Sequence, residues 1–111
     1  MIYTSIALFA LAAILGMTLL TFVLRSKPTP KGVLFLHGGV AATALILLIL
    51  YSFRAAPRPI ESLVLFILAA AGGLFMGIRD ILGKPPPKWL AIGHGLLAVA
   101  GFGFLLYYAF I

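Results

Sequence analysis

The chain has 111 residues, of which 64% are hydrophobic and 9% charged, with no cysteine and a net charge of +6. Soluble domains carry about 25% charged residues, so the composition excludes an ordinary water-soluble globule. The missing thiols exclude disulfides, thiolate metal ligands and attachment of a prosthetic group through Cys-x-x-Cys-His. The basic excess sits in short segments between apolar runs, where it reads as membrane topology and not as a nucleic-acid surface.

Four apolar runs cover about Ile2–Leu24, Val33–Phe53, Ile60–Leu82 and Trp89–Ile111. Each is near the ~20 residues that cross ~30 Å of hydrocarbon at 1.5 Å per residue. The predicted fold class is therefore all-α: an integral membrane four-helix bundle, with 1–111 forming one four-span domain. The first run has no positive segment before it, which predicts a retained span and not a cleaved signal. After it come Arg25, Lys27 and Lys31, with Pro28 and Pro30 between them. The second run ends at Arg54 and Arg58, with Pro57 and Pro59 in the linker. The third is followed by Arg79, Lys84 and Lys88 around Pro85–Pro87. Prolines are tolerated at helix starts and not in helix interiors, so they mark the boundaries. Six basic residues against two place loops 25–31 and 79–88 in the cytoplasm and both termini outside, with a bacterial inner membrane as the default location. Trp89 at one interface and Tyr51, Tyr107 and Tyr108 at the other fit aromatic belts.

Residues 1–54 align with 58–111 at an offset of 57 without a gap. Lys27-Pro28-Thr29-Pro30-Lys31 matches Lys84-Pro85-Pro86-Pro87-Lys88, and His37-Gly38 matches His94-Gly95. Further matches include Ser5/Ser62, Phe9/Phe66, Ala12/Ala69, Gly16/Gly73, Ala41/Ala98, Leu48/Leu105 and Tyr51/Tyr108. Matches of leucine and alanine are expected in any pair of membrane segments; those of histidine, glycine, proline and tyrosine are not. The pattern predicts a tandem hairpin repeat. Because each hairpin has an even number of spans, both halves share one orientation, the second and fourth helices run parallel, and the two histidines lie at one depth.

The histidines are the only ionisable groups well inside the spans. Such residues are costly in a bilayer and face partners inside the bundle. The alternative reading, an imidazole serving only as an interhelical hydrogen-bonding group worth ~0.6 kcal/mol on average, stays open. Steps of four and seven from each histidine reach Ala41 and Ala44 on one helix, and Ala98 and Gly101 on the other. Each histidine thus stands on a stripe of small residues, which serves close helix packing or contact with a flat ring. Zinc and copper want three or four ligands, and here only Met17 and Met76, at unmatched positions, could supplement the pair. Haem needs one axial ligand on each face, and two parallel helices supply them. Among familiar cofactors haem b fits best.

Paired histidines on the second and fourth helices, with Gly16 and Gly73 on the first and third, resemble the four-helix core of transmembrane b-type cytochromes. That resemblance implies haem slotted between helices two and four, His37 and His94 as axial iron ligands, and Gly16 and Gly73 as ring contacts. Gly38, Gly95, Ala41 and Ala98 complete the candidate cofactor-binding set. Many members of that family carry two histidines on each helix and hold two haems; this chain has one on each, which implies one haem near the cytoplasmic face. Free amides at the starts of helices two and four, and the surrounding basic residues, suit the propionates.

Six-coordinate iron favours electron transfer over oxygen binding. The expected function is a small membrane cytochrome b relaying single electrons, as an electron-transfer protein or a quinone-linked oxidoreductase. Its expected surroundings are membrane lipid, a quinone, and a larger membrane oxidoreductase or a homodimer, with no nucleic acid. Two rivals remain: a cofactor-free assembly or anchor subunit, and a small transporter. Small multidrug exporters carry a working glutamate in the first span, whereas here the first charge after Met1 is Arg25, Glu61 starts the third run, and Asp80 is expected to pair with Arg79 at the surface. No catalytic acid–base pair, nucleophile or phosphate loop supports hydrolysis or group transfer.

Overall fold

A computed structural model describes residues 1–111 as four α-helices: α1 (Ile2–Leu24), α2 (Lys31–Ser52), α3 (Ile60–Ile81) and α4 (Lys88–Phe110). Each is long and apolar enough to cross a membrane, and the bundle measures 43 × 22 × 19 Å. The prolines set three of the four helix starts. Pro30, Pro59 and Pro87 each precede a first helical residue, where a missing N–H costs nothing because that group has no intrahelical acceptor. This brings Lys31 and Gly32 into α2, two residues ahead of the apolar run.

α1 and α3 stop in the same way. Ser26 (φ 56°) and Gly83 (φ 82°) adopt the left-handed conformation. Behind them the Lys27 amide donates to the Phe22 carbonyl at 2.9 Å, and the Lys84 amide to the Arg79 carbonyl at 2.9 Å. These are six-to-one closures of the kind that satisfy the last carbonyls of a helix. Glycine adopts that conformation freely, but a serine there is strained by its Cβ.

α1 packs against α2 and α4, and α3 packs against α4 and α2. The pairs α1–α3 and α2–α4 therefore face one another across diagonals of a square bundle. Two interhelical bonds set the register of the first hairpin. Ser5 Oγ donates to the Ala44 carbonyl at 2.8 Å, and His37 Nδ1 lies 2.8 Å from the Ala12 carbonyl. Phe9 then falls level with Val40 and Ala41. Its ring meets Phe66 across the α1–α3 diagonal, stacked at 3.8 Å with 3° between planes. Leu48 and Leu105, both fully buried, belong to the same core cluster. Outward-facing positions are occupied by large apolar residues such as Ile14, Leu74, Leu96 and Val99, all more than 60% exposed; a face of that kind suits hydrocarbon and not water.

Asp80 does not pair with Arg79 at the surface. It is 9% exposed, forms a 2.6 Å ion pair with Lys31 Nζ, and accepts the hydroxyl of Thr29, whose own oxygen lies 3.0 Å from the same ammonium. The reason is positional: the matching residue of α1 is Val23, a buried core residue. Asp80 thus faces the bundle and must find its cation on the neighbouring helix start. Arg79 instead donates to the Pro85 carbonyl at 3.3 Å and lies 5.9 Å from the Phe75 ring centre.

Candidate functional site

The two histidines meet across the α2–α4 diagonal, their ring centres 6.2 Å apart and their planes at 80°. Each is held by the other helix of its own hairpin. His37 Nδ1 is 2.8 Å from the Ala12 carbonyl of α1, and His94 Nδ1 is 2.6 Å from the Ala69 carbonyl of α3. A carbonyl only accepts, so Nδ1 carries a proton in both rings, and in the neutral imidazole the lone pair is then on Nε2. Neither Nε2 has a hydrogen-bond partner. Fixing the tautomer through Nδ1 and presenting Nε2 is how proteins orient histidines that bind metals.

The glycines explain how the rings get there. A Cβ on Gly16 would stand 2.9 Å from His37 Cε1, and one on Gly73 would stand 2.8 Å from His94 Cε1. Any side chain at either place would push the imidazole off its carbonyl. Gly16 and Gly73 are therefore seats for the imidazoles, close to but distinct from the ring-contact role expected of them. Ala41 and Ala98, one turn beyond the histidines on the same helix faces, are half-buried. Gly38 and Gly95 do not join this group: a Cβ on either would meet nothing within 4 Å. Met17 is 61% exposed, while Met76 is buried against Val23 and Ala91. No group of three or more histidine or carboxylate side chains could hold a metal ion.

The spacing of the donors can be tested against a metal held between them. Metal–imidazole bonds of about 2.0–2.1 Å, added to about 1.1 Å from nitrogen to ring centre on each side, separate two trans imidazole centres by about 6.3 Å. The observed separation of ring centres, 6.2 Å, is of the same size. A donor set of two imidazoles whose Nε2 atoms have no hydrogen-bond partner, with no anionic ligand, would suit a haem iron. The Phe9–Phe66 stack lies on one side of the histidines along the bundle; on the other lie the starts of α2 and α4. Lys31 of that end is engaged with Asp80, which leaves Lys27, Lys84 and Lys88 exposed there without an ion-pair partner.

Three features of the interior escape sequence reasoning: the aromatic stack, the buried Asp80 pair and the chain of phenols from Tyr51 through Tyr108 to Pro57. The first and third had a signal, since Phe9/Phe66 and Tyr51/Tyr108 are matched at the 57-residue offset. The second had none, because Asp80 has Val23 and not a like residue at that offset.

No family model matches the chain, and no curated protein or solved structure does either.

Proposed function

We propose that this chain is a small membrane cytochrome b, a tandem repeat of one transmembrane hairpin that holds a single b-type haem between His37 and His94. The observation that carries the reading is the matched pair of imidazoles, 6.2 Å apart, each with Nδ1 committed to a carbonyl and Nε2 free. When bound, the haem would supply reversible one-electron exchange.

The residues of the chain have separable roles. His37 and His94 donate through Nε2. Ala12 and Ala69 hold the rings through their carbonyls and raise their basicity. Gly16 and Gly73 give the rings room to reach those carbonyls. Phe9 and Phe66 keep the interior beside the imidazoles apolar and free of water. Lys27, Lys84 and Lys88 would pair with the anionic edge of the group, with loops 25–31 and 79–88 on the cytoplasmic side of a bacterial inner membrane. Electron partners of the expected class are a quinone and a larger membrane oxidoreductase or a second copy of the chain.

The test is an absorption spectrum of the detergent-purified chain, produced with ample haem, before and after dithionite. The expected result is the reduced spectrum of a six-coordinate b haem at one per chain, lost in His37→Ala and in His94→Ala. A colourless, well-folded protein that also fails to take up added haem would overturn the proposal. One observation favours a second reading in that event: each imidazole already joins the two helices of its hairpin, so a cofactor-free anchor subunit would use the same bonds for packing alone.

A further inference from the structure

The end of the bundle opposite the histidines carries a cleft of about 630 Å³. All four tyrosines of the chain, Tyr3, Tyr51, Tyr107 and Tyr108, line it, together with Arg58 and Glu61. An aromatic belt spreads such residues around a bundle; here they converge on one opening. Glu61 is also the only carboxylate side chain without a cation, since the other, Asp80, is taken by Lys31. Arg58, three residues away, forms no ion pair with it.

The hydrogen-bond directions add a second constraint. Tyr108 donates its proton to the Pro57 carbonyl at 2.7 Å. The 3.2 Å contact between the two phenol oxygens therefore uses the proton of Tyr51, because Tyr108 has none left to give. Both phenol protons are consumed within the protein, and both oxygens are left with lone pairs. Together with the Glu61 carboxylate and the faces of the tyrosine rings, the cleft attracts an organic cation. Arg58 supplies one anion-binding group beside it, and apolar residues make up most of the remaining wall. A ligand with an ammonium group, a neighbouring phosphate and an apolar body satisfies all three.

We infer that this cleft binds the headgroup of a zwitterionic phospholipid, with the ammonium between Glu61 and the tyrosines and the phosphate on Arg58. The site lies at the far end of the bundle from the histidines and stands apart from the haem reading.

Native mass spectrometry of the full chain, released from detergent with lipids of identical acyl chains, tests this. Phosphatidylethanolamine or phosphatidylcholine should be retained at one molecule per chain, about tenfold above phosphatidylglycerol. Glu61→Gln should remove that preference, and Arg58→Gln should weaken retention of all three lipids. Tyr107→Leu, at an exposed position, should lower retention of the zwitterionic lipids about threefold while leaving the unfolding temperature in place. Equal or better retention of phosphatidylglycerol by the unaltered chain would overturn the inference, as would an unchanged preference in Glu61→Gln. Free phosphocholine competing as well as the whole lipid would overturn the assignment to a lipid.

Discussion

Substituting alanine for Gly16 probes the contact on which the histidine geometry depends. The new Cβ would sit 2.9 Å from His37 Cε1, inside any relaxed contact, and 3.4 Å from Nδ1. The imidazole is the mobile partner, but it can retreat only by giving up the 2.8 Å bond to the Ala12 carbonyl. Overpacking of this kind costs about 1–3 kcal/mol. Alanine recovers about 0.5–1 kcal/mol of helix preference over glycine. The net expectation for Gly16→Ala is a loss of about 1–2 kcal/mol, and Gly73→Ala, with its 2.8 Å approach, should match it. Gly38→Ala is the control: its Cβ meets nothing within 4 Å, so only the helix term acts, and it should gain about 0.5–1 kcal/mol. Unfolding in mixed detergent measures the three, and ¹⁵N chemical shifts of the imidazoles report the tautomer. In the native chain both rings should show protonated Nδ1 and bare Nε2; Gly16→Ala should disturb only His37. A Gly16→Ala chain as stable as Gly38→Ala, with an undisturbed His37 signal, would refute the reasoning.

Other consequences follow from named contacts. Lys31→Met leaves Asp80 buried with only Thr29 to satisfy it and should cost about 1–2 kcal/mol, between the values for exposed and fully buried pairs because the lysine is 46% exposed. Asp80→Val, which restores the apolar residue found at Val23, should stay within about 1 kcal/mol of the native chain, because Lys31 can turn to water; both are read by unfolding in detergent. Ser26→Gly removes a Cβ from a left-handed residue and should stabilise the chain by about 1 kcal/mol, measured as a raised unfolding midpoint, whereas Gly83→Ser should lower it. Phe9→Ala opens the stack with Phe66 and should cost about 3 kcal/mol. A double-mutant cycle of the two rings should return a coupling of about 1 kcal/mol, and a coupling near zero would mean that the rings act only as bulk.

Much of the architecture was legible before any coordinates. Run lengths, prolines and the paucity of charge specify four helices, each long and apolar enough to cross a membrane, helix being the form in which a single segment satisfies its own backbone polar groups. The 57-residue offset singled out the histidines, the glycines of α1 and α3, the phenylalanines and the tyrosines. It could not say what each touches. Gly16 and Gly38 read alike as small residues near a histidine, yet one seats an imidazole and the other faces open space. That difference depends on which neighbouring helix leans against which face, and helical periodicity carries no such information. Asp80 was misjudged for the same reason: two residues adjacent in sequence point about 100° apart on a helix, and here Arg79 turns toward Phe75 and Pro85 while Asp80 turns inward.

The sequence by itself therefore determined the number of helices and, to within two residues, where they begin and end, and it showed which positions match at a fixed offset, since these depend on local backbone chemistry and on residue identity. Only the tertiary structure decided the diagonal that brings His37 to His94, the carbonyls that fix both tautomers, and the phenol chain that leaves one cleft rich in acceptors. Each of these needs two helices placed to within an ångström, and side-chain packing between helices sets that placement.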